Sequence, residues 1–130
     1  ASDAPVDRGH FFDPCVEEFD DMFTVAFVFR RKPGLSRDEF EALYEAHREV
    51  MTREARGLVS YVQHKTLALV NVGGIPCDSG FDALSVYTYR SEADAVHTTR
   101  LAAVAADSER FIDFSSMVTL ALSAHVVCLD

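Results

Sequence analysis

The fold of this 130-residue chain is decided by residues 22–51, MFTVAFVFRRKPGLSRDEFEALYEAHREVM. The opening segment is rich in β-branched and aromatic side chains, which predicts a strand over Met22–Arg30. Both alternating sets of side chains in this strand are largely apolar, so the strand must be covered on both faces. A Pro-Gly turn follows, and Ser36 with Glu39 forms the capping-box pattern that begins a helix.

The predicted helix has one apolar face and ends near Gly57. Apolar side chains recur at the spacing of a single helical face, while charged side chains occupy the opposite face. The members of the apolar face are Phe40, Leu43, Tyr44, His47, Val50 and Met51. The periodicity therefore predicts that His47 points at the sheet.

The rest of the chain repeats these strand and helix signals. Further strands are predicted over 58–70, 81–89 and 117–127, with a turn-rich loop between the first two. A capping pattern at Ser91 begins a second, alanine-rich helix that is predicted to end near Asp107. The resulting order, βαββαβ, is that of the ferredoxin-like α+β fold with a four-stranded antiparallel sheet.

This topology predicts an oligomer. Right-handed crossovers place both helices on one face of the sheet and leave the other face bare. Because the first strand offers apolar side chains to both faces, the bare face is a liability in a monomer. The simplest cover is a second copy packed sheet to sheet about a twofold axis, which predicts a homodimer in the form of an eight-stranded α+β barrel.

Composition and charge exclude several classes of protein. The hydrophobic content of 48% is enough to close a core, and the net charge of −9 lacks the electrostatic footprint of a nucleic-acid-binding protein. No apolar run is long enough for a membrane span, so no membrane association is expected. Residues 1–21 contain seven acidic residues and one arginine, and we interpret them as an acidic N-terminal arm ahead of one domain, 22–130.

The cysteines and histidines do not form a recognisable metal motif. Cys15, Cys77 and Cys128 are odd in number, far apart and outside CxxC spacing, so neither a disulfide framework nor a zinc site is predicted. His125 and Cys128 lie three apart on a predicted strand and therefore point to opposite faces. Motifs for nucleotide binding and serine hydrolysis are absent from the sequence. These observations favour a reducing, cytoplasmic location.

The strand-turn-helix segment resembles one known family. Its Arg-Lys-Pro-Gly turn at Arg31–Gly34, the helix aromatics Phe40 and Tyr44, and His47 match the pattern of the EthD family, a branch of the dimeric α+β barrel superfamily. Later matching stretches are Tyr61–His64, Phe81–Asp82 and Asp107–Asp113, so that the resemblance extends over about 22–127. Two features depart from the family pattern: Arg48 and Glu49 follow the helix histidine, and the acidic arm has no counterpart.

The resemblance implies a homodimer with a pocket between sheet and helices in each subunit, and chemistry without a cofactor. The superfamily includes polyketide cyclases, dehydratases, decarboxylases, isomerases, cofactor-free monooxygenases and haem-processing enzymes. Membership therefore specifies the fold better than the reaction.

Three residues are predicted to be catalytic. A buried His47 would be neutral and could act as a general base, although a hydrogen-bonded core histidine is the alternative. Tyr44, three residues earlier on the same face, could stabilise a developing enolate or could serve in packing alone. His97 on the second helix is predicted to face inward, where it could supply an acid opposite the base.

Other side chains are predicted to bind the substrate. Tyr61 and His64 alternate along the second strand, so only one of them can reach a given cavity. Asp107 could orient a histidine or could be a solvated carboxylate at the end of a helix. The complete predicted substrate-binding set is Tyr61, His64, Val50, Met51, Asp107 and Phe111.

The sequence therefore predicts a cofactor-independent acid/base enzyme that acts on an apolar aromatic or polyketide-like molecule. Dehydration, cyclisation, decarboxylation and isomerisation all remain open, since each passes through an enol or enolate. One alternative is a noncatalytic accessory or ligand-binding protein of an oxidative, ether-degradation-like pathway. A haem-binding monooxygenase is a further alternative.

Overall fold

The computed structural model describes residues 13–15, 21–67, 71–77 and 79–129. Within these ranges no helix is both long enough and apolar enough to cross a bilayer. The elements are β1 (Phe23–Arg31), α1 (Arg37–Glu54), β2 (Leu58–Lys65), β3 (Asn71–Val72), β4 (Ile75–Pro76), β5 (Ala83–Tyr89), α2 (Glu92–Thr99), α3 (Ala102–Ser108) and β6 (Ile112–Leu122).

Four strands form one antiparallel sheet in the order β2-β5-β1-β6. This order confirms the predicted ferredoxin-like α+β fold, in which the first strand is central. The strands β3 and β4 form a separate two-stranded hairpin inside the loop that was predicted to be rich in turns.

The helix α1 begins as its sequence predicts. The Ser36 hydroxyl accepts from the Glu39 backbone N–H at 3.0 Å, and the Glu39 carboxylate accepts from the Ser36 backbone N–H at 2.8 Å. These contacts satisfy two of the backbone N–H groups that have no acceptor within the helix at its start. The fully buried residues of α1 are Phe40, Tyr44, His47 and Met51, which places the predicted apolar face against the sheet.

The second predicted helix is divided into two short ones, which corrects the sequence prediction. Leu101 between α2 and α3 adopts an extended conformation, with φ −70° and ψ 131°. The preceding Thr98 and Thr99 are β-branched and have low helix propensity. Moreover, the Thr98 hydroxyl accepts from the Arg56 backbone N–H at 3.0 Å, a contact outside the helix.

The last strand begins five residues earlier than predicted and also ends earlier, at Leu122. Its entry is fixed by the backbone N–H of Lys32, which donates to the carbonyl of Phe111 at 2.8 Å. The pairing of β1 with β6 then shifts register between Val28 and Arg30, where the Ser116 hydroxyl accepts from the Arg30 backbone N–H. Because of this irregularity, side chains at the start of β6 do not alternate strictly, and the sequence pattern did not indicate where the strand begins.

The face of the sheet away from the helices is apolar and partly exposed. We call this surface the outer sheet face, and its apolar members are Ala26, Val28, Val62, Leu84, Val86, Val118, Leu120 and Leu122. Val62, Val118 and Leu120 each keep over two fifths of their surface exposed in the single chain.

Cys15 and Cys128 form a disulfide with a Cα–Cα distance of 5.7 Å. The pairing agrees with the topology, because Thr24 near the start of β1 lies opposite Leu122 at the end of β6, so that β1 begins and β6 ends at the same end of the sheet. The sequence prediction of unpaired cysteines is therefore wrong for these two, while Cys77 is free and exposed. Because disulfides persist mainly in oxidising compartments, the cysteines no longer support a cytoplasmic location.

The predicted acidic arm, residues 1–21, lies mostly outside the described residues. Only 13–15 and Asp21 are described, and these positions are exposed.

Candidate active site

A cavity of about 230 Å³ lies between the sheet and the three helices. Its wall on the sheet side comes from alternate residues of β1 and β5, which all point toward the helices. The lining residues are Phe27, Phe29, Tyr44, His47, Met51, Ser85, Tyr87, Tyr89, Thr98, Thr99, Val104, Ala105, Ser108, Phe111, Ile112, Phe114 and Met117. Most of this wall is aromatic or aliphatic, and the exposed ring of Phe114 stands at the edge of the cavity.

His47 lines the cavity and is held by Asp107. The imidazole is nearly inaccessible to solvent, and its Nδ1 lies 2.6 Å from Oδ2 of Asp107 near the end of α3. The other carboxylate oxygen accepts from Nη1 of Arg110 at 3.0 Å. Phe111 packs edge-on against the imidazole, with ring centroids 5.2 Å apart. These contacts fix the orientation of the ring.

The charge state of this pair follows from burial and hydrogen bonding. Burial lowers the pKa of His47 below its usual value of 6.5 and outweighs the opposing effect of the Asp107 carboxylate. Burial acts to raise the pKa of Asp107, but the contacts with His47 and Arg110 prevail and hold it below 3.8. At neutral pH the pair is therefore a neutral imidazole and a carboxylate. The Nδ1–H donates to Asp107, which leaves Nε2 as an acceptor.

Tyr44 and Ser85 form a hydroxyl pair on the cavity wall. The two oxygens lie 2.7 Å apart, and the Tyr44 hydroxyl also lies 3.3 Å from the carbonyl oxygen of Leu84. Burial raises the pKa of Tyr44 to about 12, with the Ser85 contact opposing it. The phenol therefore keeps its proton at neutral pH, so the pair contains two hydroxyl donors.

Tyr61 lies behind the cavity rather than in its wall. Its ring stacks on Tyr87 with a centroid distance of 4.4 Å, and its hydroxyl accepts from Nε2 of Gln63 at 2.6 Å. The same amide nitrogen donates to the backbone carbonyl of Tyr44, while Arg48 donates to the other end of Gln63 at 2.7 Å. Arg48, one of the departures from the family pattern, thus belongs to a hydrogen-bond network that connects α1 to β2.

The structure brings together five of the residues that the sequence singled out. His47, Tyr44, Met51 and Phe111 line the cavity, and Asp107 contacts His47 directly. Of the two readings of Asp107, the solvated carboxylate is incorrect, because its side chain is only 12% exposed and hydrogen-bonded to an imidazole.

The remaining predicted residues lie elsewhere. His97 is exposed and borders a shallow external groove, so its predicted inward orientation is wrong. The physical reason is that Ala95 and Thr98 form the buried side of α2, and His97 is displaced from that side. His64 is exposed on the face opposite Tyr61, and Val50 packs in the core beside Met51 without lining the cavity.

Sequence reasoning did not find Ser85, Tyr87 and Tyr89, which line the cavity from β5. Their alternation in the stretch SVYTY is a usable signal, since residues two apart on a strand face the same side. The pairing of β5 with β1 determines which of its sides faces the helices. Ser85 lies opposite Phe27 and Tyr87 lies opposite Val25, and residues that lie opposite each other point to the same face of the sheet.

Among the described residues, no three His, Cys, Asp or Glu side chains come close enough to hold a metal ion.

Solved structures share this architecture. SnoaB, a cofactor-independent oxygenase from Streptomyces nogalater, has a TM-score of 0.60 at 10% identity, covering 85% of this chain and 99% of that one. A dimeric ferredoxin-like protein of unknown function from Thermobifida fusca gives 0.61 at 13% identity, with 79% and 91% covered. An EthD family protein from Bacillus halodurans gives 0.58 at 13% identity, with 80% and 99% covered.

Comparison of the sequence with known proteins identifies the family of the chain. No curated protein matches the chain significantly. The model of the EthD domain matches residues 32–115, a segment that runs from the turn after β1 into β6 and contains α1 and α3. With the ferredoxin-like sheet and the helix histidine in place, this match shows that the chain belongs to the EthD domain family.

Proposed function

We propose that this protein is a cofactor-independent acid/base enzyme that acts on an apolar small molecule, with His47 as its general base. The observation that carries the proposal is the contact between Nδ1 of His47 and Asp107 at 2.6 Å, on a ring that lines a cavity. A neutral imidazole whose orientation is fixed by a carboxylate is the arrangement that general-base catalysis requires.

The proposed step is a proton transfer. Nε2 of His47 takes a proton from an acidic C–H or O–H bond of the substrate, whose electron pair stays on the substrate as an enolate or phenolate. The imidazolium formed is stabilised by Asp107, which is already a carboxylate. A hydroxyl of the Tyr44–Ser85 pair donates to the oxygen on which the negative charge develops.

This proton transfer is the common first step of several reactions. Dehydration, aldol-type cyclisation and isomerisation can each follow from the same enolate, whereas decarboxylation would reach an enolate by loss of CO₂ instead. SnoaB is described as a cofactor-independent oxygenase, and removal of a proton from an aromatic substrate would also begin chemistry of that kind.

The enzyme is proposed to act as a homodimer. The outer sheet face carries apolar side chains on all four strands, which a second copy would cover. The related protein from Thermobifida fusca is dimeric. Light scattering should give about twice 14.4 kDa, and Leu120→Asp should give the monomer. A wild-type protein of monomer mass would contradict this part of the proposal.

The catalytic proposal is tested by identifying a ligand and then removing the base. Native mass spectrometry of freshly purified protein identifies what the cavity carries, and turnover of that compound is then measured. His47→Gln should lose turnover while keeping its far-ultraviolet circular dichroism, and His97→Gln is the matched control because His97 is exposed and outside the cavity.

Two results would contradict the proposed catalytic role of His47. One is a folded His47→Gln protein that turns the compound over at the wild-type rate. The other is a ligand that the wild type binds and returns unchanged, since this outcome favours an accessory or ligand-binding role. A haem absorbance band in the purified protein would contradict the cofactor-free mechanism.

A further inference from the structure

The size of the cavity limits what it can hold. A cavity of about 150 Å³ accommodates benzene, so the 230 Å³ found here accommodates roughly nine non-hydrogen atoms at the same filling. Pockets for larger, drug-sized molecules begin at about 300 Å³. One or two aromatic rings therefore fit within this space, whereas three fused rings would extend out of it past the exposed edge at Phe114.

The charge of the surroundings limits the ligand further. Among the described residues that line the cavity, none is Lys, Arg, Asp or Glu. The formal charge nearest to His47 is the carboxylate of Asp107, which is held on the far side of the imidazole. Arg110 lies outside this pair with more than half of its side chain exposed, and it contacts the other carboxylate oxygen. An anionic ligand would therefore be buried near the Asp107 carboxylate, and no described lining residue carries a fixed positive charge to pair with it.

The walls favour a flat ring system. Phe27 and Tyr87 meet edge to face at 5.6 Å, and Tyr61 stacks against Tyr87 from outside the cavity, which holds the Tyr87 ring rigidly. Phe29 and Phe111 add two further rings, with centroids 6.2 Å apart. Rigid aromatic walls of this kind bind planar aromatic molecules through edge and face contacts.

One small polar patch interrupts this wall. Ser85 is almost completely buried at the centre of the sheet, and the described part of the chain provides only Tyr44 as its side-chain partner. The single Tyr44 hydroxyl hydrogen has two acceptors within reach, the Ser85 oxygen at 2.7 Å and the Leu84 carbonyl oxygen at 3.3 Å. In the shorter contact Tyr44 donates to Ser85, and the hydroxyl hydrogen of Ser85 is then available to donate to a ligand. A ligand oxygen at this point would satisfy that donor.

We propose that the cavity selects uncharged aromatic molecules of one or two rings that carry a hydroxyl or carbonyl oxygen, with Ser85 as the residue that positions this oxygen. This inference rests on the proposed function in that it assigns the substrate class of the same site. It is narrower than that function, because it excludes multi-ring polyketides and carboxylated aromatics.

The test is isothermal titration calorimetry of the wild-type protein with four probes at neutral pH. The uncharged probes phenol, 1-naphthol and 9-phenanthrol have one, two and three rings, and 1-naphthoate matches 1-naphthol in size but carries a negative charge. We expect 1-naphthol to bind most tightly, and both 9-phenanthrol and 1-naphthoate to bind at least about tenfold more weakly. Equal affinity for 9-phenanthrol overturns the size limit, and equal affinity for 1-naphthoate overturns the charge limit.

Variants locate the binding site. Val104→Phe fills the cavity from α3 and should abolish 1-naphthol binding, whereas Val96→Phe adds the same ring to the exposed side of α2 and should leave it unchanged. Ser85→Ala should weaken 1-naphthol but not naphthalene, which lacks the oxygen. An equal loss for both compounds overturns the positioning role of Ser85.

The same titrations separate this inference from the catalytic proposal. If 1-naphthol binds but His47 proves dispensable for turnover, the substrate class stands and the mechanism fails. If His47 is essential but no uncharged aromatic probe binds, the mechanism stands and the substrate class is wrong.

Discussion

Removal of the carboxylate behind His47 should destabilise the folded protein in a graded way. Asp107→Ala deletes the acceptor of the Nδ1–H bond and leaves a buried imidazole donor without a partner. Asp107→Asn keeps a carbonyl oxygen at nearly the same place but removes its charge. Arg110→Ala leaves the imidazole contact intact and deletes only the outer ion pair, so it serves as the matched control.

The magnitudes follow from the surroundings of each group. A buried donor left unpaired costs about 1–3 kcal/mol, so Asp107→Ala should lower the free energy of unfolding by that amount. At this chain length the loss corresponds to a fall in Tm of roughly 3–15 °C. Asp107→Asn should cost less than half as much. Arg110 is 58% exposed in its ion pair, and its removal should cost about 0–1 kcal/mol.

Two measurements check this prediction. Urea denaturation followed by far-ultraviolet circular dichroism gives the free energies of the three variants. Nitrogen NMR of the imidazole gives its protonation state, and the wild type should carry the proton on Nδ1 of His47. Equal stability of Asp107→Ala and Arg110→Ala, or a wild-type proton on Nε2, would refute the assignment of Asp107 as the partner that orients the base.

Three further predictions concern pH, a buried hydroxyl and the disulfide. Burial lowers the pKa of His47 below 6.5 in the folded protein. As the pH falls below 6.5, the imidazole therefore takes up a proton in the unfolded chain before it does so in the folded protein. Urea titrations should therefore show wild-type stability falling in this interval and His47→Gln losing less. Tyr44→Phe should cost about 0.5–1.5 kcal/mol in the same assay, and no loss would contradict its hydrogen-bonded role. Cys15→Ser removes the disulfide to Cys128, which is 113 positions away, and the chain-entropy model gives a loss of up to about 5 kcal/mol in the free energy of unfolding. A wild-type protein whose stability at equilibrium is unchanged by dithiothreitol would contradict this prediction.

The parts of the fold that the sequence predicted are those governed by local signals. Ser36 and Glu39 are three residues apart, so their reciprocal hydrogen bonds depend only on helix geometry and could be read directly. The burial of His47 and Tyr44 follows in the same way from the helical period of α1.

The parts that could not be predicted depend on contacts between distant segments. Asp107 is 60 positions from His47, and its role depends on how α3 docks beside α1. The break before α3 divides the second predicted helix, so its helical period did not indicate which side chains face inward, and His97 is exposed. The disulfide is a similar case, because only the pairing of β1 with β6 brings Cys15 and Cys128 together.

The aromatic composition of this chain has a practical consequence for spectroscopy. The chain contains no tryptophan and only four tyrosines. Three of these, Tyr44, Tyr87 and Tyr89, line the cavity, and Tyr61 stacks on one of them. Intrinsic fluorescence from every phenolic chromophore in the molecule therefore originates at the site. A guest entering the cavity should change that emission directly, so occupancy can be followed without attaching a dye or introducing a reporter residue.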